Sequence, residues 1–276
     1  MGRQSPHLDG VPETMLWSLY HRAVESRHSD AVLHDPDGVR IMEALDYDFA
    51  GHFGTPGGSL AARAATIDRT IINWLGLHPD GLVISLGEGL ETQARRVDNG
   101  RMHWLSVDLP DAIRLREAFL PPTERFRHLT MSVLDPEWMA MVDFVGPVFI
   151  VAQGLLMYFE PGAVGRLLGR MAACLPGARL VFDTIPPWLS WLTLLGLNQT
   201  SIYRLPRMPW GIARDDIEPT LRRWCPGLGP VEMLPYSMPR GMPSALTQFI
   251  ATAPVLRHQL PSLVLTSFGL GQRTDH

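Results

Sequence analysis

The residues best placed to do chemistry lie between Leu86 and Asp108. The run Leu86-Gly87-Glu88-Gly89-Leu90-Glu91-Thr92 follows a short apolar segment and holds two glycines one residue apart. Glycines at such a point let the backbone approach a ligand closely and present amide donors at the start of a helix. Alone, a GxG marks only a tight strand-to-helix turn. Here Asp108 ends the next apolar segment about 20 residues on, where a carboxylate can hold the hydroxyls of a ribose. Both features suit NAD and S-adenosylmethionine (SAM) alike, and the loop chemistry separates the two. A dinucleotide loop cradles a pyrophosphate and normally has a third glycine, but Thr92 takes that place and Glu88 and Glu91 lie in or beside the loop. Like charges in a partly buried site cost free energy. SAM has no phosphate and carries a sulfonium and an ammonium, so the loop favours it.

Other chemistry-bearing residues give less. Cys174 and Cys225 stand alone without metal-ligand spacing, so no metal is expected and both read as free thiols. His52, in Gly51-His52-Phe53-Gly54, could act as a base, yet isolated histidines more often do nothing catalytic. No catalytic residue is assigned. Tyr158 more often packs than reacts. Trp188, Trp191, Tyr203 and Trp210 fall among prolines in residues 185–212, where they could form a pocket wall or the core of a lid.

These residues need elements to position them. Met15, Leu16, Leu19, Tyr20, Ala23 and Val24 follow a helical spacing from Pro12 to Arg27, and a second helix is expected from Ser59 to Leu77. Strands are then expected at Leu82 to Leu86, His103 to Val107, Arg125 to Met131, Val148 to Ala152 and Arg179 to Phe182. Helical patterns fill the gaps at Leu90 to Val97, Asp111 to Phe119 and Pro161 to Leu175. A helix from Arg214 to Trp224 and strands at Val231 to Tyr236 and Leu263 to Ser267 close the pattern. The expected fold is α/β and Rossmann-like: a seven-stranded, mostly parallel sheet with helices on both faces and one antiparallel strand. Residues 1–78 form a helical extension packing on the core, and 79–276 the main domain, with a lid-like insertion at 185–212. Ligands of such sheets bind at the carboxyl ends of the strands.

Composition bounds the rest. The 276 residues are 46% hydrophobic, enough for a sizeable buried core. A formal charge of −4 gives no basic field, so nucleic acid is not an expected partner. All 24 basic residues are Arg. The first ten residues lack the apolar core of a signal peptide, and Pro6 breaks the myristoylation pattern. The most apolar stretch, Trp188 to Leu197, is too short to span a bilayer. A cytoplasmic protein acting on a small molecule is expected, its oligomeric state unread.

Several segments carry a resemblance: Arg22-Ala23-Val24-Glu25-Ser26 with Asp35-Pro36, Ala62-Arg63 with Ile67-Asp68, the loop from Gly87 to Thr92, and Trp104 to Pro110. Ser132 to Trp138, Ala152 to Tyr158 and Phe182-Asp183 complete it. In order and spacing the chain resembles the leucine carboxyl methyltransferase family, in its bacterial branch of O-methyltransferases similar to the tetracenomycin polyketide enzymes. That resemblance implies a class I SAM-dependent methyltransferase fold, SAM as cofactor and S-adenosylhomocysteine (SAH) as product. It implies that Gly87 and Gly89 line the methionine part of SAM, with Glu88 also counted as cofactor-binding, and that Asp108 holds the ribose. Leu109, Ser132 and Val133 would flank the adenine, and Arg63, with Arg22 aligned to a similar role, would pair with the SAM carboxylate. Gln153 stands where the family has Glu, facing the SAM amino group without a charge, and Glu88 replaces a small residue of the family's loop.

Methyl transfer from a sulfonium is an in-line displacement with a good leaving group, so the protein mainly aligns the partners and excludes water. A carboxylate acceptor needs no base; a phenol, with pKa ~10, gains from one. Tyr158, Trp188, Trp191 and Tyr203 are the expected acceptor-side residues, suiting a planar apolar molecule such as a polyketide. Two other readings stay open: a SAM-binding protein without turnover, and an NAD-dependent oxidoreductase.

Overall fold

A computed structural model describes residues 3–6, 8, 10–235, 240 and 260–270. Four helices precede the first strand where the sequence pattern gives two: α1 (Thr14–Glu25), α2 (Pro36–Ala44), α3 (Phe49–Phe53) and α4 (Ser59–Leu77). The extra pair are short helices started by caps. Asp35 accepts from the Gly38 amide ahead of Pro36, and Asp48 accepts from the Gly51 amide.

Seven strands follow: β1 (Leu82–Leu86), β2 (His103–Asp108), β3 (Phe126–Thr130), β4 (Val148–Ala152), β5 (Arg179–Thr184), β6 (Glu232–Leu234) and β7 (Ser262–Ser267). They form one sheet in the order β3-β2-β1-β4-β5-β7-β6. The first five run parallel, and β7 lies antiparallel between β5 and β6. The chain winds outward from β1 to β3 and then returns to place β4 on the other side of β1, so a crevice opens where β1 and β4 diverge.

Between the strands run α5 (Gln93–Arg96), α6 (Pro110–Glu117), α7 (Glu137–Ala140), α8 (Pro161–Cys174), α9 (Pro187–Leu195) and α10 (Arg214–Trp224). Alternate residues of the buried strands feed two cores. Leu82, Ile84, Ile150 and Phe182 pack toward α8 and α10, whereas Val83, Phe149 and Val181 pack toward Ile67, Ile71 and Trp74 of α4. The last helix of the expected extension is therefore a face of the sheet's own core. A third cluster joins Met15, Leu16 and Leu19 of α1 to Leu90, to Ala112 of α6 and to Tyr203 and Leu205 beyond α9.

Several expected boundaries shift by a residue or more, and two elements are halved. The helix after β1 spans Gln93–Arg96 rather than Leu90 to Val97, because Gly89 takes φ +54° and the Glu91 amide closes a turn on the Glu88 carbonyl. The strand expected at Val231 to Tyr236 is Glu232–Leu234, with Tyr236 outside the described residues.

Candidate functional site

A cavity of about 490 Å³ sits at the carboxyl ends of the parallel strands, walled by α1 and α4 on one side and by the chain beyond β5 on another. The β1 loop forms its floor. Gly87 and Gly89 have φ +61° and +54°, a conformation that side chains disfavour. Space forbids side chains there too: a Cβ on Gly87 would lie 2.6 Å from Leu155, and one on Gly89 2.6 Å from Met15.

Asp108, the last residue of β2, fastens this loop. Its Oδ2 accepts from the Gly89 amide at 2.7 Å and its Oδ1 from the Leu109 amide at 2.7 Å. Burial pushes its carboxyl pKa up, with the two amides and Arg116 opposing. Leu109, Ser132 and Val133 line the same end of the site, with Leu109 half-exposed.

Glu88 requires a correction. It borders the cavity, but its side chain is fully buried, and its carboxylate is held by Trp104 Nε1 at 3.0 Å, by the Ser106 hydroxyl and by Arg116 Nη2 at 2.8 Å. Glu91 is also compensated. Its Oε2 pairs with Arg22 Nη1 at 3.0 Å and its Oε1 with Arg96 Nη1 at 2.7 Å. Burial would raise the Glu91 pKa, yet Arg22 and Arg96 hold it below the usual range. Charge repulsion by these two carboxylates therefore does not explain the loop's choice of ligand.

Arg22, expected to reach the cofactor, is completely buried and absent from the cavity wall. Its Nε meets Asp35 Oδ2 at 2.9 Å and its Nη2 donates to the Leu90 carbonyl at 2.8 Å. Arg96 also bridges to Asp35 at 3.3 Å and to Asp68 at 2.7 Å. A buried ionic web thus ties α1, α2 and α4 to the loop from behind. Gln153, just past β4, joins it by donating from Nε2 to Glu91 Oε2 at 3.2 Å, while its Oε1 is buried and meets no donor among the described residues.

Arg63 of α4 does line the cavity, paired at 2.6 Å with Asp183 of β5, whose other oxygen accepts from the Gly154 amide at 2.6 Å. Asp183 was not singled out as a site residue, although an acid at the end of a parallel strand is a readable signal. Tyr158 lines the cavity half-buried, its phenol pushed up to about 12 by burial against the opposing effects of Thr14 and Arg63.

Three expected acceptor residues lie elsewhere. Trp188 and Trp191 are 45% and 61% exposed on α9, outside the cavity wall. Tyr203 is buried edge-on against Phe53 at 4.9 Å between centroids and does not border the cavity. A helix hydrophobic all round looks the same in sequence whichever face is inward. His52 also lies outside the cavity, its ring 4.5 Å from that of Tyr47.

His21 and Trp17 of α1, both in the cavity wall, were missed because a histidine on an apolar helix face resembles a core residue. Burial and then Arg63 push the His21 imidazole down to about 4. Acid should therefore weaken the fold through this residue. Between about pH 6.5 and 4 the unfolded ring takes up a proton that the folded ring refuses, so a contribution of about 2–3 kcal/mol present at neutral pH is lost as pH falls. Urea denaturation of wild type and His21→Phe across this range checks it. The stability difference between the two should shift by that amount, whereas a constant difference would show an ordinary histidine. Taking the difference removes Glu88, Asp68 and Asp108, whose raised pKa values act in the opposite sense.

The sheet order, with β7 antiparallel between β5 and β6, is that of a class I methyltransferase fold. The chain is 33% identical over 184 residues to the tetracenomycin polyketide synthesis O-methyltransferase TcmP of Streptomyces glaucescens, covering 66% of this chain and 68% of TcmP. It is 26% identical over 185 residues to the S-adenosyl-L-methionine-dependent methyltransferase dpfgK of Gibberella zeae, covering 59% of this chain and 61% of that one. Accordingly, the chain belongs to the SAM-dependent methyltransferases, and SAM is its cofactor.

Solved structures agree on the fold. A Thermobifida fusca protein assigned to the methyltransferases aligns with a TM-score of 0.53 at 18% identity over 90% of this chain and 94% of that chain. The CurJ carbon methyltransferase aligns with a TM-score of 0.54 at 14% identity over 94% of this chain and 68% of that chain. No family model matches. The residues present fit the cofactor: Gly87 and Gly89 line the cavity at the end of β1, and Gln153 Oε1 is a buried acceptor with no partner among the described residues. Among the described residues no helix is long and apolar enough to cross a membrane.

Proposed function

We propose that this chain O-methylates a small, planar, largely apolar molecule through a carboxylate or an acidic phenolate, in the bacterial branch of the leucine carboxyl methyltransferase family. The observation that carries the reading is the make-up of the cavity. Beyond the loop it is walled by Leu60, Met157, Phe159, Leu189 and Met208, and neither of its titratable rings is a base near neutral pH. The His21 ring titrates at about 4 and the Tyr158 phenol at about 12. An acceptor oxygen that is already ionised needs no base, only alignment and the exclusion of water. The likeness to TcmP supports transfer to oxygen.

Within this reading SAM, when bound, supplies an electrophilic methyl on a sulfonium. Asp108 would hold the ribose hydroxyls while keeping Gly89 in place, and Leu109, Ser132 and Val133 would flank the adenine. Arg63 would take the carboxylate of the methionine moiety and Gln153 Oε1 its ammonium. Arg22 would act through Glu91, which orients Gln153. Tyr158 would border the acceptor. A cytoplasmic setting belongs to the same proposal, since Cys174 and Cys225 are both free thiols.

Purified protein given SAM with a labelled methyl group and a panel of aromatic acids and phenols tests this. Label should move to at least one acceptor and resist or yield to mild base according to whether an ether or an ester forms. Tight SAH binding with no transfer to any oxygen would mark a SAM-binding protein without turnover and overturn the proposal.

A further inference from the structure

Besides Gln93 Oε1, residues lining the cavity include two whose buried polar atoms meet no partner among the described residues, and these two atoms are opposite in kind. The first belongs to His21, which is 7% exposed. The Trp17 indole can only donate, and its Nε1 lies 2.9 Å from His21 Nε2, so that nitrogen carries the lone pair. Burial and Arg63 keep the ring neutral at working pH, which leaves its single proton on Nδ1. Nδ1 is buried and meets no acceptor among the described residues. The second is Gln153 Oε1, an acceptor that meets no donor. Native proteins rarely leave such groups unmet, because each has given up its hydrogen bond to water without replacing it.

Their surroundings assign them. The His21 N–H, in the field of Arg63, can meet only an acceptor, whereas the Gln153 oxygen can meet only a donor, its amide nitrogen being engaged with Glu91. One part of the cavity is thus suited to a carboxylate and another to an ammonium, which is the pattern of a free amino-acid head. Resting on the cofactor reading above, we propose that His21 Nδ1–H is a second donor to the α-carboxylate of SAM and SAH, acting beside Arg63. Trp17 is then a positioning residue that fixes which nitrogen bears the proton. His21 is not the general base, since its lone pair is already held by Trp17.

Calorimetric titration with two probes tests this: SAH, and 5′-methylthioadenosine, which keeps the nucleoside and sulfur but lacks the amino-acid head. His21→Phe should weaken SAH about ten- to hundredfold, the range of a hydrogen bond to a charged group, and leave methylthioadenosine within about twofold. His21→Asn, which keeps a donor, should recover part of the loss. A nitrogen NMR spectrum of wild type should show the proton on His21 Nδ1.

Equal weakening of both probes would give His21 a structural role and overturn the proposal, as would unchanged SAH binding or a proton found on Nε2. If SAH binding is unchanged while benzoate binds the SAH-loaded variant more weakly, the donor serves the acceptor and the assignment to the cofactor falls. Wild type that binds neither probe would instead bring down the cofactor reading itself. Thermal melts of each variant confirm that folded protein is compared.

Discussion

Arg116→Ala is expected to destabilise the protein by about 3–5 kcal/mol, the cost of leaving a buried charge without its partner. Arg116 is 3% exposed on α6, and its Nη2 pairs with Glu88 at 2.8 Å. Its Nη1 donates to the Gly89 carbonyl at 3.0 Å and the Glu91 carbonyl at 2.6 Å. Alanine there leaves the Glu88 carboxylate with only the neutral donors Trp104 and Ser106, and leaves two loop carbonyls without that partner. Urea denaturation reads the loss, and Glu88→Gln in the same background should restore much of it by removing the charge. Burial raises the Glu88 pKa, with Arg116 opposing, so a contrary result has a definite meaning. A loss below about 1 kcal/mol would show that Glu88 is carried as the neutral acid and that no ion pair exists to break.

Asp108→Ala should weaken SAH by more than about hundredfold, because two effects combine at one carboxylate. The variant would lose the acceptor proposed for the ribose hydroxyls, and it loses the clamp on the Gly89 and Leu109 amides that shapes the loop. Methylthioadenosine retains the ribose, so its affinity should fall alongside that of SAH, unlike the pattern expected for His21. Calorimetry with both compounds decides the matter: SAH binding within about threefold of wild type would remove Asp108 from the cofactor site. Asp108→Asn should be intermediate, since an amide can accept from one of the two backbone donors but not both.

The parts of this site that were legible in the sequence are those whose partners are near in sequence or fixed by the pleat. Strands β1, β4 and β5 show as short apolar runs because each is covered on both faces; Gly87 and Gly89 follow from the end of β1, and Asp108 from the end of β2. The buried ionic web could not be read. Arg116 meets Glu88 from 28 residues away and Arg22 meets the Leu90 carbonyl from 68, and both pairings exist only once α1 and α6 are docked. The cofactor was inferred correctly for a reason that does not hold, since the charges of Glu88 and Glu91 are already neutralised by arginines. Trp188 and Trp191 show the limit of composition, because aromatic content does not say which face of α9 turns inward. Helices α2 and α3 were readable from the caps at Asp35 and Asp48, but their short lengths hid the periodic signal on which longer helices are recognised.

The place of β7 has a consequence for synthesis on the ribosome. Among the described residues it is the last strand in sequence but an interior one in the sheet, seated between β5 and β6. Until residues 262–267 emerge, β6 has no neighbour and β5 shows a bare edge lined by Val181 and Phe182. A message cut short ahead of that point would therefore not yield a weaker enzyme. It would yield a chain with an open, apolar strand edge, which pairs readily with other copies of itself and becomes a substrate for chaperones and proteases.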